Sequence, residues 1–250
     1  YCAGEEISLT DQNLTHVVGA GYDEYQTGDE FKLADWNGDL NGGNYHIIFI
    51  DMSASWWGPC QSNAPIVDGL EEDWSEYGVK FVTSLTDVGS PYSASQWQSN
   101  FGNSETPLVI DANQSGTGFF SLFHDSWNAF PTFVLIDHTM TVRAKPWTLS
   151  SNTNSNSCDG TNATISGWSG GNTSNFIQQL VDECGELCQG VSYTLGDIND
   201  DGIFNIQDII LLVNMILGTT LPDYNTADMN QDGVLNVQDV ILVLNIVLDR

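Results

Sequence analysis

Two stretches near the end of the chain constrain it most, because one is nearly a copy of the other. Residues 196–208 read Gly-Asp-Ile-Asn-Asp-Asp-Gly-Ile-Phe-Asn-Ile-Gln-Asp, and residues 227–239 read Ala-Asp-Met-Asn-Gln-Asp-Gly-Val-Leu-Asn-Val-Gln-Asp. The offset is 31 residues, and each copy runs into an apolar helix, Ile209–Leu217 and Val240–Leu248. An internal repeat of this kind is a loop–helix unit used twice. Its polar part has the spacing of a calcium loop, in which a flexible turn supplies about six to eight hard oxygens. Asp197, Asn199 and Asp201 take positions 1, 3 and 5 of the first loop. Gly202 allows the sharp turn, Ile203 offers a backbone carbonyl, Asn205 acts through water and Asp208 closes the ring. Asp228, Asn230, Asp232, Val234, Asn236 and Asp239 repeat the set, with Gly233 at the turn. One such match is compatible with an ordinary acidic turn; two in register predict two Ca2+ ions. The closing residue is Asp, one methylene shorter than Glu, so the helix that follows has to sit closer to its ion.

The pair resembles a dockerin domain, a small module whose two calcium loops fix two antiparallel helices. The resemblance covers residues 194–250 and implies docking onto a protein partner, either a cohesin-like receptor or copies of the chain itself. The helices depart from the cellulosomal pattern. They are almost wholly apolar and lack its basic and hydroxyl recognition residues. A helix that is apolar all round needs cover on more than one side.

The charge narrows the partners further. Five Lys plus Arg stand against 33 Asp plus Glu, a formal net charge of −28. That balance repels nucleic acid and anionic membrane. No apolar run reaches the roughly 20 residues that span a bilayer, so no membrane insertion is expected. The start at Tyr1-Cys2, without Met, is what leader removal or trimming would leave. Five cysteines, at 2, 60, 158, 184 and 188, favour bridges if the protein is exported. Cys184 and Cys188 share a helical face, so one of them is expected to bridge to Cys158 or Cys2. Glycan acceptors occur at Asn13, Asn113, Asn162 and Asn172, the last two in a loop able to carry sugar. His16, His46, His124 and His138 show no zinc spacing, and His124-Asp125 reads as a surface pair.

Before the repeat, the pattern is that of an α/β domain. Val17-Val18 and Phe31–Asp35 mark short strands, and Tyr45–Asp51 is the strongest early one. Asn63–Tyr77 reads as a helix with Ile66, Leu70, Trp74 and Tyr77 near one face, and Val79–Leu85 as the next strand. This β-α-β unit predicts a largely parallel central sheet. Further on, Ala94–Phe101 and Phe119–Phe123 read as helices, and Pro107–Asp111 and Phe133–Asp137 as strands, the last followed by Thr141–Arg143 in a hairpin. Residues 149–175 are Ser-, Thr-, Asn- and Gly-rich and read as a long loop, and Asn175–Cys188 as a closing helix.

The strongest strand leads into Ser53-Ala54-Ser55-Trp56-Trp57-Gly58-Pro59-Cys60. Strand, turn, then a helix opening on Gly-Pro and Cys is the layout of a thiol redox site. With Gly28, Phe31–Asp35 and Gly38 as an entry segment and Phe130-Pro131-Thr132-Phe133 as a second loop, residues 25–188 resemble the thioredoxin superfamily, closest to its redoxin or TlpA-like group. The resemblance implies that Pro131 is cis and faces the dithiol, that position 57 is the nucleophile and that Cys60 is the resolving thiol. The nucleophile position holds Trp57, which cannot attack a disulfide. Trp57 would plug the old groove or form an exposed contact for a partner or a sugar, whereas Trp56 matches a family aromatic.

The fold expected is therefore a thioredoxin-like α/β sandwich with a central mixed sheet in residues 1–190, carrying an insertion at 149–175. A small all-α dockerin-like domain follows at 194–250. The function expected is non-enzymatic: a secreted or cell-surface assembly protein, held by calcium-built docking and able to self-assemble. The rival readings are a thiol–disulfide oxidoreductase using Cys60 alone and a carbohydrate-binding module.

Overall fold

The computed structural model describes residues 1–102, 107–114, 116–123, 129–146, 149, 155–156, 162–163, 172–188, 195–199, 203–220, 224–230 and 234–248. The chain divides into two compact units, Tyr1–Gly190 and Val191–Arg250.

The first unit is built on seven strands: β1 (His16–Ala20), β2 (Glu30–Phe31), β3 (Ile47–Ala54), β4 (Val79–Thr86), β5 (Leu108–Asp111), β6 (Thr132–Ile136) and β7 (Val142–Ala144). Their order in the sheet is β2-β1-β5-β4-β3-β6-β7. The pairs β3/β4 and β4/β5 are parallel, while β1/β5, β3/β6 and β6/β7 are antiparallel, so the sheet is mixed. Its helices are α1 (Leu9–Gln12), α2 (Gly38–Asn41), α3 (Gly58–Trp74), α4 (Ala94–Phe101), α5 (Phe119–Phe123) and α6 (Thr173–Cys184).

The β3 strand shows why the sheet is central. All eight of its residues are buried, because alternate side chains serve two separate cores. Ile47 and Phe49 pack with Val67 and Leu70 of α3 and with Phe176, Ile177 and Leu180 of α6. Ile48, Ile50 and Met52 join Phe31, Leu33, Trp36, Phe119 and Phe123 on the other face. An all-apolar run would be indifferent to that split, but Asp51 and Ser53 interrupt it and lie fully inside.

Several expected boundaries shift. The Phe31–Asp35 strand is only Glu30–Phe31, followed by a 3-10 turn at Leu33–Trp36 that begins the route into α2. The α3 helix starts at Gly58, five residues before the expected Asn63, because Pro59 sits in its first turn, where a missing N–H costs nothing. Within the Ser/Asn-rich insertion, Ser155–Asn156 pairs antiparallel with Asn162–Ala163, and most of the rest lies outside the described residues.

The second unit holds α7 (Ile206–Ile216), α8 (Tyr224–Ala227) and α9 (Val237–Leu248). The α7 and α9 helices bury Leu212 and Val243 with Ile198 and Ala227. Their outer apolar side chains, among them Ile210 and Ile241, stay exposed.

Candidate functional site

Cys60 lies in the first turn of α3 and is a free thiol. It is 0% exposed and packs with Ala64, Leu85, Trp97 and the rim residue Phe130. The Ala54 backbone N–H donates to its Sγ at 3.4 Å. Burial pushes the thiol up to about 12, the nearby Asp51 charge adds to the rise, and the Ala54 N–H and the Ser53 hydroxyl oppose it. The helix N-terminus, which ordinarily acidifies a thiol, is thus outweighed by desolvation.

Below the thiol is a polar group the sequence reading passed over. The Ser53 hydroxyl donates to Asp51 Oδ1 at 2.7 Å, while Asp51 Oδ2 is buried without a hydrogen-bond partner. Burial raises Asp51 to about 7, with the neighbouring Asp68 carboxylate adding to the rise and Ser53 and Thr83 opposing it. Asp68 is itself buried in α3. The signal was present in the sequence: an Asp and a Ser inside a strand otherwise fit only for a core.

The register of β6 completes the corner. Thr132 pairs with Met52, which places Pro131 beside Ser53, and the Phe130–Pro131 peptide is cis. Trp57 is the N-cap of α3 but gives it no side-chain hydrogen bond. Its indole is 42% exposed and meets Trp56 edge-on at 5.4 Å between ring centres. Trp56 is 52% exposed and donates from Nε1 to Asp87 Oδ2 at 2.7 Å. The pair therefore projects outward, and Trp57 does not fill a groove as a buried plug would.

The cysteine pairing differs from expectation. Cys184 bonds Cys188, with Cα atoms 5.5 Å apart, rather than either reaching Cys158 or Cys2. Helical i, i+4 geometry brings the two sulfurs together once the 3-10 turn at Gly185–Leu187 tightens the end of α6. Cys2 is also disulfide-bonded, and Cys158 lies outside the described residues, as does His124-Asp125. Asn172 caps α6, its Oδ1 accepting from the Asn175 N–H.

The two repeat loops match in detail as well as in sequence. Asp208 Oδ1 accepts from the Ile198 and Asn199 N–H groups at 2.8 and 3.3 Å, and its Oδ2 from Asn205 N–H at 2.8 Å. Asp239 does the same with Met229, Asn230 and Asn236 at 2.9, 3.4 and 2.9 Å. Asn205 and Asn236 each turn Oδ1 to the second N–H of the following helix and donate from Nδ2 to the carbonyls of Ile203 and Val234. Asn199 and Asn230 donate to Gln207 and Gln238. Asp197, Asp208, Asp228 and Asp239 are all buried. Asp201 and Asp232 lie outside the described residues.

These residues fit calcium by their donor chemistry. Residues 191–250 contain nine Asp, no Lys or His, and one basic residue, Arg250. Buried carboxylates require a counter-charge or strong hydrogen bonds, and this unit brings almost no cation of its own. The backbone N–H groups take part of the acceptor capacity of Asp208 and Asp239, and Oδ2 of each keeps a lone pair for an ion. Among the described residues, no three metal-binding side chains cluster.

No protein-family model matches the chain, and neither does any curated protein. Solved structures similar to it include MTB DsbF in mixed oxidized and reduced forms, at 12% identity and TM-score 0.44, covering 72% of this chain and 100% of that one. A thiol:disulfide interchange protein of the thioredoxin family from Chlorobium tepidum TLS gives 13% and 0.45, covering 72% and 97%. Another thiol:disulfide interchange protein, from Bacteroides sp., gives 12% and 0.45, covering 74% and 93%. Parallel β3-α3-β4 with antiparallel β6 and β7 gives the first unit the α/β fold with a mixed central sheet that was expected. One expectation is corrected with it. The chain was expected not to be an enzyme because Trp57 occupies the nucleophile position. The similar structures are named as thiol:disulfide interchange proteins and as a secreted disulfide oxidoreductase, which runs against that expectation.

Proposed function

We propose that the thioredoxin-like unit performs thiol–disulfide exchange through a single cysteine, Cys60, and that the dockerin-like repeat unit, organised by two calcium ions, tethers it to a protein partner. The observation that carries the reading is the free thiol of Cys60 in the first turn of α3, packed against Phe130 of the Phe130–Pro131 loop. The Cys60 thiol loses its proton to solvent base, a loss that burial makes costly. The Cys60 thiolate then attacks one sulfur of a partner disulfide, forming a mixed disulfide and expelling the other sulfur as a thiolate. A second thiolate, from the partner or from a small thiol, attacks the mixed disulfide and releases Cys60. Electrons balance within the exchange, and no outside oxidant is required.

Burial and a thiol near 12 make this a slow exchange at neutral pH, since only about one thiol in 10^5 is then ionised. The exposed Trp56–Trp57 pair supplies a flat apolar edge for the polypeptide that carries the disulfide. The same pair supports a second reading, stacking on a sugar ring, which a glycan array with Trp57→Ala as control would separate.

The calcium reading assigns the ions to Asp197, Asn199, Asp201, Ile203, Asn205 and Asp208, and to Asp228, Asn230, Asp232, Val234, Asn236 and Asp239. Calcium would supply the missing positive charge and hold each loop against its helix. The exposed outer faces of α7 and α9 support a docking role, for a cohesin-like receptor or a second copy. An extracellular location agrees with the disulfides and the calcium loops. Reduction of insulin by the intact protein, compared with Cys60→Ser, tests the chemistry. Equal turnover by the two proteins, or none by either, rejects it.

A further inference from the structure

At the end of the sheet where the central strands β4 and β5 begin, the first unit holds a cavity of about 280 Å³. Separate parts of the chain build it. The β1–β2 loop gives Tyr22 and Tyr25, the 3-10 turn before α2 gives Trp36, the end of α3 gives Glu71, and β4 gives Lys80. Asp23, Glu24 and Glu76 complete its charged lining.

The side chains are fixed before any ligand arrives. Tyr22 Oη donates to Glu71 Oε1 at 2.8 Å, and Glu71 is 3% exposed. Trp36 Nε1 donates to Glu24 Oε1 at 3.4 Å, and Tyr25 stands edge-on to Trp36 with ring centres 6.5 Å apart. Tyr25 Oη donates to Asp35 Oδ2 at 3.1 Å. Lys80 Nζ pairs with Asp23 at 2.6 Å and Glu24 at 3.4 Å. Gly21 is required for this loop to close on itself, since a Cβ there would lie 2.5 Å from the Tyr25 carbonyl oxygen.

The chemistry of the lining selects a ligand class. Four carboxylates face one ammonium, so the cavity is left with surplus negative charge. A metal ion is a poor fit, because no three metal-binding side chains among the described residues come together and the walls are aromatic. An organic cation meets both requirements. Its charge would be held by the carboxylates, and its apolar body would lie against rings whose faces attract cations.

We propose that this cavity binds a small organic cation of the amine or guanidinium class, with Glu71 and Glu24 holding the charge and Tyr22, Tyr25 and Trp36 walling the alkyl part. Lys80 is the built-in competitor, occupying part of the carboxylate surface that the ligand would use.

Calorimetric titration of the intact, calcium-loaded protein at low salt with argininamide tests the site. Saturable one-to-one binding is expected. Glu71→Gln should weaken it about tenfold or more through loss of a charge-assisted contact. Lys80→Met should strengthen it. Asp182→Asn, which makes the same change in net charge on the exposed side of α6, should leave it unaltered. Circular dichroism of each variant establishes that it is folded. If Glu71→Gln does not fold, the Lys80→Met gain and a Glu24→Gln loss carry the test. Absence of saturable binding, equal weakening by Asp182→Asn, or equal binding of a neutral sugar such as glucose overturns the proposal.

Discussion

The two units bury carboxylates under opposite conditions. Asp51 sits in an apolar strand with one oxygen unpartnered, and burial moves it toward the neutral acid, to about 7. Asp208 and Asp239 are equally buried, yet each accepts three backbone N–H groups at the start of a helix. The first arrangement leaves a proton that can be given and taken. The second ties both oxygens to the backbone at the start of a helix. Burial alone therefore does not decide what an aspartate does; the donors aimed at it decide.

The largest expected effect is on the second unit. Removing calcium with a chelator should abolish its helical signal while the first unit keeps a separate thermal transition. A ligand held at about 1,000 times its dissociation constant contributes about 4 kcal/mol, enough to matter for so small a core. Calorimetry with and without chelator checks this, and a single unaltered transition would break the contrast.

Next comes Asp51→Asn. The folded-state value of Asp51 is raised from 3.8 to about 7. The folded protein therefore binds this proton more tightly, and its stability falls as pH rises from about 4 through 7. The substitution removes that fall. It should stabilise the first unit at pH 8 by up to about 4 kcal/mol relative to its effect at pH 3.5, as read by denaturant titration.

His16 gives the opposite sign. It is buried against Phe31 and Phe119, both ring nitrogens lack hydrogen bonds, and burial lowers it from 6.5 to about 4. The unfolded chain binds this proton more readily, so stability is lost as pH falls from 6.5 through 4. His16→Phe should remove up to about 3 kcal/mol of that acid loss. His46 is lowered to about 4 as well, first by burial and then by Lys80, and leaves a residual acid sensitivity. The smallest effect is that of Trp57→Ala on stability, within about 0.5 kcal/mol, because an exposed indole without a side-chain cap bond holds little together.

Much of this was legible in the residues. Ile47–Ile50 and Val79–Leu85 could only be core strands, and the repeat at 197–208 and 228–239 announced itself by register. The short β1 strand was harder to delimit, because it opens on a histidine and contains Gly19. The apolar periodicity of α3 shows only from Asn63, whereas its first turn is marked by Gly58 and Pro59 alone. The Asp51–Ser53 pair was hidden inside a strong strand signal, where attention goes to the apolar residues. Helical spacing put Cys184 and Cys188 on one face, but that spacing does not say that the two bond each other. The cavity near Tyr22 was not legible because its residues come from separate places in the chain.

The most direct test is the pH profile of Cys60 exchange in the intact calcium-loaded protein, followed with a small aromatic disulfide from pH 7 to 10. The rate should climb about tenfold per pH unit, as expected for a thiol near 12, and should vanish in Cys60→Ser. A rate that is flat with pH, or that survives the substitution, would contradict a single buried thiol as the reacting group.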